Sequence, residues 1–278
     1  MACVGMAAGA VTAVAVAPAP TNVMHPEAEV AAPAPPEVEV EGLWQPPAPE
    51  PRPATTTPKV EVVGEEVAAP VVADVPPPSP TSFVVADAAV PSVELFGAGG
   101  VPMGRALPNP TKYDLPLVFR VMEDQGEWLD VQVPSRPNGM RAFIRASDVT
   151  LRTVPNWIKV ELSTRKVTVF HGDTPLLETI GAIGKATSPT PTGWFYVDAS
   201  VLLTDPTGPY GTGQLALSGF SDVYTSWAGG EGQIALHGTN APGLLGQAAS
   251  NGCVRLENSV LLQVQDLAPT GTPVQIIP

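Results

Sequence analysis

The chain has 278 residues, of which 34 are proline and only 15% are charged, with a formal net charge of −13. Between Pro18 and Pro91 lie 11 acidic residues, two basic ones and 18 of the prolines, so −9 of that charge belongs to one segment. With no basic stripe to displace phosphate counterions, the chain excludes nucleic acid as a partner. Two cysteines at opposite ends (Cys3 and Cys253) and three scattered histidines argue against a disulfide framework and a zinc site.

The first element is the apolar run Val4 to Ala17, too short to span a bilayer comfortably and similar to the apolar core of a secretion signal. Residues 1–17 are therefore read as a leader and the protein as exported, to the periplasm or cell wall. This end is expected either to be cleaved or to keep the chain on a membrane. Residues 18–91 follow as a spacer. Proline at this density removes amide donors and fixes φ, so neither helix nor central strand propagates, and a stiff, solvated linker results.

Residues 92–154 alternate in short apolar pieces: Val93 to Phe96, Leu117 to Val121, Trp128 to Val133 and Ala142 to Arg145. Loop residues separate them, and the pattern predicts a small all-β unit of about five strands. The stretch GEWLDVQVPSRPNGMRAFIRASDVTL resembles bacterial SH3-like domains in its Trp strand, its Asn-Gly turn and its closing I-x-x-x-D-V. The resemblance implies a small SH3-like β-barrel, serving either to bind cell wall or as a structural spacer packed on the next domain.

Residues 155–278 are again β-rich. Trp157 to Leu162 and Lys166 to Phe170 form a hairpin, Leu176 to Ile183 a third strand, and Trp194 to Val197, Gln214 to Leu217, Gln233 to Leu236 and Thr272 to Ile277 later ones. Ser259 to Leu267 reads as the one clear helix, with Asn258 at its N-cap. The fold class is mainly β, and this last part is long enough for its own core.

Two segments carry chemistry. An apolar strand, Ile234 to Leu236, ends in His237-Gly238-Thr239, where side chains reach an open edge. Sixteen residues after His237 comes Cys253, inside Ser250-Asn251-Gly252-Cys253-Val254-Arg255. An imidazole within hydrogen-bond reach converts a thiol into the thiolate nucleophile and then protonates a leaving amine. No acidic side chain adjoins His237, so the carbonyl of Gly238 is expected to fix its tautomer. The amides of Asn251, Gly252 and Cys253 are candidates for an oxyanion hole, and Arg255 for binding a substrate carboxylate. His171 reads as a hairpin-tip residue and His25 as part of the spacer.

These residues resemble the L,D-transpeptidase (YkuD) catalytic domain. That family has a strand end of the type I-x-H-G-T, then Ser-His-Gly-Cys followed by Ile/Val-Arg. Upstream, Gly184-Lys185 with Thr187 to Gly193 (TSPTPTG) matches its G-K … T-P-T-P-x-G element. The three motifs occur in the family's order between Pro155 and Pro278. The resemblance implies Cys253 as nucleophile, His237 as base, Gly238 as the orienting carbonyl and Arg255 as the arginine after the nucleophile. It implies no metal and no cofactor. The implied substrates are peptidoglycan stem peptides, as donor and as acceptor, with release of D-alanine and a 3→3 cross-link formed through a thioester. Carbapenem β-lactams are the implied inhibitors. The chain departs from the pattern at Asn251, where the family often has His. The other readings are an L,D-carboxypeptidase or a protein-anchoring enzyme from the same site, and a non-catalytic wall-binding protein.

Overall fold

The computed structural model describes residues 80–226 and 230–278. The leader, Cys3, His25 and the spacer up to residue 79 lie outside them. Among the described residues the fold is β throughout, with one α-helix.

Seven strands form the first sheet: β1 (Phe83–Ala88), β2 (Ser92–Phe96), β3 (Pro102–Pro108), β4 (Val118–Asp124), β5 (Trp128–Gln132), β6 (Arg141–Arg145) and β7 (Val149–Val154). Their order is β3-β2-β6-β5-β4-β1-β7. Alternation explains the inward face. Val93 and Leu95, Leu129 and Val131, and Ala142 and Ile144 recur every second residue, so they share one side of the pleat and cluster with Phe119.

This sheet corrects two expectations. β1 lies inside the stretch read as spacer, so the β unit begins near Phe83 and not at residue 92. Its Phe-Val-Val-Ala run holds no proline and pairs fully with β7, from Phe83↔Val154 to Ala88↔Val149. The high proline content around it hid a strand that needs only six clean residues. The sheet also has seven strands where about five were expected. β3, with Pro and Gly in it, is an exposed edge strand, the place where a sheet tolerates a missing donor.

The chain passes to the second sheet between Val154 and Trp157. That sheet comprises β8 (Trp157–Glu161), β9 (Lys166–His171), β10 (Thr174–Ile180), β12 (Gly193–Leu202), β13 (Gly213–Phe220), β14 (Gln233–His237), β16 (Val254–Arg255) and β17 (Pro273–Ile277), in the order β10-β9-β8-β17-β12-β13-β14-β16. A separate two-stranded ladder joins β11 (Ile183–Gly184) to β15 (Ala248–Ser250). Helix α1 (Asn258–Leu267) lays Leu261 and Val264 into a core with Ile158, Val169, Leu217, Leu236 and Val274. Truncating such a residue to alanine costs about 2–5 kcal/mol.

Glu257, not Asn258, caps α1: its carboxylate accepts the Ser259 amide and hydroxyl. Asn258 is the first helical residue, and its side chain turns towards the site described below.

The two sheets belong to one compact unit. The buried Tyr196 hydroxyl donates to the Val118 carbonyl at 2.9 Å, Arg152 reaches the Thr270 carbonyl at 2.9 Å, and Asn138 both donates to and accepts from the Phe220 backbone at 2.8 Å. These bonds join the N-terminal sheet to the second one.

Candidate active site

β14 and β16 run parallel, with Leu236 opposite Val254 and His237 opposite Arg255. Successive strand residues face opposite sides. Ile234, Leu236, Val254 and Leu256 enter the core. Ala235, His237 and Arg255 therefore share the other face, and Cys253, in the bend just before β16, has its thiol beside the Ala235 backbone. β16 is held on its far side as well: the Ala182 amide donates to the Arg255 carbonyl at 2.9 Å, and the Arg255 amide donates back at 2.8 Å.

His237 is only 4% exposed. Its Nδ1 lies 2.6 Å from the Gly238 carbonyl oxygen. A carbonyl can only accept, so the neutral ring carries its proton on Nδ1 and leaves Nε2 with a free lone pair. Burial lowers the imidazole to about 4; the Gly238 carbonyl opposes this and the Arg255 charge adds to it. The Tyr210 ring covers one flank, its centroid 4.8 Å from that of the imidazole.

Gly238 is required by its surroundings. A Cβ there would sit 2.3 Å from Asn258 Oδ1 and 2.9 Å from the Thr212 nitrogen. That Oδ1 accepts the Thr239 amide at 2.9 Å and the Thr212 amide at 3.3 Å, binding the histidine loop to the start of α1.

Cys253 is partly exposed. Burial of the sulfur pushes its thiol up, while a hydrogen bond from the Ala235 backbone and the charge of Arg255 draw it down. A lowered imidazole and a raised thiol both favour the neutral pair at rest.

The turn before Cys253 is built by Ser250 and Gly252. Gly252 has φ +123, a conformation that side chains rarely adopt. The fully buried Ser250 hydroxyl accepts the Gly252 amide at 3.1 Å and donates to the Cys253 carbonyl. This amends the expected three-amide oxyanion hole. The Gly252 N–H is engaged inside the turn, so the amides that remain for an oxyanion are those of Asn251 and Cys253.

The Thr-Pro-rich element meets this turn. The Lys185 amide donates to the Ser250 carbonyl at 3.0 Å, Thr190 Oγ1 accepts the Gly184 amide at 2.9 Å, and the Pro189 carbonyl comes beside Gly252. Three segments separated in sequence thus converge on Cys253. His171 stays apart, at the end of β9 with Nδ1 3.1 Å from the Pro155 carbonyl.

Residues 155–276 match the family profile of the YkuD L,D-transpeptidase catalytic domain. The chain is 31% identical over 124 residues to YkuD of Bacillus subtilis and 32% identical over 126 residues to YkuD of Bacillus licheniformis. These alignments cover 45% of the chain in each case, and 67% and 68% of the relatives. The chain belongs to the YkuD family of L,D-transpeptidases. Among solved structures, it is similar to an L,D-transpeptidase of Enterococcus faecium, with 25% identity, a TM-score of 0.32 and coverage of 44% of this chain and 49% of that one. It is also similar to an L,D-transpeptidase of Mycobacterium smegmatis, with 15% identity, a TM-score of 0.37 and coverage of 56% and 80%. The chain spans about half the length of the enterococcal structure.

Within this L,D-transpeptidase domain the departure at Asn251 falls on a partly buried turn residue whose amide is available whatever its side chain. Three contributors escaped the sequence reading: the Ser250 hydroxyl, the Asn258 amide group and the Tyr210 ring. Only Ser250 had a signal, its place inside the Cys motif. The other two come from distant segments and become neighbours of His237 through folding alone.

Proposed function

We propose that the domain cross-links peptidoglycan stem peptides through a Cys253 thioester. The observation that carries this reading is the register of β14 and β16, which sets His237 and Arg255 opposite one another with Cys253 two residues before Arg255, on the face turned away from the core. Cys253 Sγ attacks the carbonyl carbon of the third stem residue, and its proton passes to Nε2 of His237. Charge builds on the carbonyl oxygen against the amides of Asn251 and Cys253. As the tetrahedral centre collapses, the C–N bond breaks and imidazolium protonates the departing D-alanine amine. An amine of a second stem then attacks the thioester, gives a proton to His237, and releases the thiol with a new C–N bond: a 3→3 cross-link. Arg255 holds a carboxylate of the donor.

The reading includes export, since the substrate lies outside the cytoplasm. The apolar run Val4 to Ala17 supports it, and the proline-rich segment after that run suits reach through a polymer mesh. Carbapenems are expected to acylate Cys253 by the same attack.

Mass spectrometry tests this directly. The chain is incubated with a carbapenem, and separately with a tetrapeptide stem, with and without an acceptor stem. A covalent adduct on the wild type, absent from Cys253→Ala, with D-alanine release and a dimeric stem, is the expected result. Release without dimer identifies a carboxypeptidase, and an unmodified wild type overturns the catalytic reading.

A further inference from the structure

A cavity of about 280 Å³ opens between the two sheets, lined by Arg120, Met122, Gln132, Gly139, Arg141 and Trp194. None of these residues belongs to the Cys253 site. Register explains its polar wall. Arg120 pairs with Gln132 across β4 and β5, and Gln132 with Arg141 across β5 and β6, so the three side chains form one row on a single face. Trp194, 43% exposed at the start of β12, forms the facing wall, with the Arg120 guanidinium 5.1 Å from its ring centroid.

The row is incompletely satisfied. Arg141 is paired with Asp130, its Nε 2.9 Å from Oδ1. Arg120 has no acidic partner among the described residues, and its buried Nη1 has no hydrogen-bond acceptor. Gln132 is 4% exposed; its Nε2 donates to the Trp194 carbonyl at 2.6 Å, but its buried Oε1 receives no donor. Other arginines that bridge the sheets have acceptors there: Arg136 donates to the Tyr224 and Glu231 carbonyls, and Arg152 to Asp87 and Thr270. A half-buried cation with a sealed, unpartnered Nη1, in register with a residue whose buried acceptor has no donor, is costly unless something supplies both. Burial and the nearby Arg141 charge lower Arg120 to about 10, in keeping with an uncompensated cation.

We propose that this cavity is a binding site for a carboxylate carrying an adjacent N–H or O–H donor, with an apolar or ring face laid on Trp194 and Met122. The carboxylate answers Arg120 Nη1 and the donor answers Gln132 Oε1. A fully ionised phosphate group, all acceptors, would leave that Oε1 unmatched. Two sources share this chemistry: an acidic acetamido sugar and the C-terminal end of a short peptide. The site is independent of Cys253 and does not rest on its reactivity.

Full-length Cys253→Ala protein, in which no acyl transfer can interfere, is titrated with N-acetylmuramic acid, N-acetyl-alanyl-alanine and N-acetylglucosamine. Binding is followed by calorimetry and by the Gln132 side-chain amide signal in NMR. Saturable binding in the millimolar range by either carboxylate, weakened at least fivefold in Arg120→Met and in Trp194→Ala, is expected. Which carboxylate binds better identifies the source. Trp194→Ala removes a partly exposed side chain and keeps the assay interpretable if Arg120→Met loses its fold. Binding of N-acetylglucosamine as tight as that of N-acetylmuramic acid, carboxylate binding indifferent to these variants, or no saturable binding at all overturns the proposal.

Discussion

His237 and Arg255 are register partners across the parallel strands β14 and β16, and a second segment holds the strand end at each. The Arg255 backbone is clasped by Ala182, and the His237 loop is gripped by Asn258. The strand pair therefore fixes the end of the histidine strand beside the strand that follows the cysteine turn.

Asn258→Ala leaves the Thr239 and Thr212 amides without their shared acceptor. The expected cost is about 1–3 kcal/mol of stability, together with slower acylation. The Nδ1 proton resonance of His237 distinguishes the two effects. It should broaden or shift as the Gly238 carbonyl loosens; an unchanged resonance beside lower stability would mean that Asn258 is only structural.

Ser250→Ala removes the acceptor of the Gly252 amide and the donor to the Cys253 carbonyl. Carbapenem acylation is expected to slow at least tenfold in a protein whose circular dichroism is unchanged. The wild-type rate in this variant would show that the turn holds without the hydroxyl.

Asn251→His restores the family's common residue at a position whose contribution is a backbone amide. Acylation is expected to stay within about threefold of wild type, since the substitution leaves the main-chain donor in place. A collapse of activity would show that the side chain of Asn251 matters.

Two buried groups act in opposite senses on acid stability. His237 lies at about 4 in the folded chain against an ordinary 6.5, so as pH falls through this window the unfolded chain binds a proton the folded chain refuses, and stability is lost. Asp198, pushed up to about 6 from 3.8 by burial and only partly relieved by Gln233, does the reverse: the folded chain binds its proton first, and stability is gained as pH falls from 6 towards 4. Each is worth at most about 3 kcal/mol at about 1.4 kcal/mol per unit, so they largely cancel between pH 6 and 4. Asp198→Asn keeps an acceptor for the Gln233 amide. It is expected to be more stable than wild type at pH 7 and to lose stability more steeply on acidification. Denaturant midpoints from pH 7 to 4.5 check this, and parallel curves for the two proteins would refute it.

The family was legible in the amino-acid sequence, and so were the candidate residues of its site. His237, Gly238 and Cys253 lie in short motifs whose residue order is local, and the alternation of Ile158 with Val160 or Val167 with Val169 shows its period within a few residues. The helix was equally legible, because the run from Ser259 to Leu267 carries no breaker. What surrounds these residues came from folding. β1 needed β7 as partner before Phe83 to Ala88 became a strand, and two-residue β16 exists only because β14 and Ala182 flank it. Asn258 reads as a cap until folding brings Thr239 and Thr212 to its oxygen. The row Arg120, Gln132, Arg141 spans three strands and appears only once their register is set. Hydrogen-bond partners and burial are properties of segments far apart in the chain, and a local pattern holds no record of them.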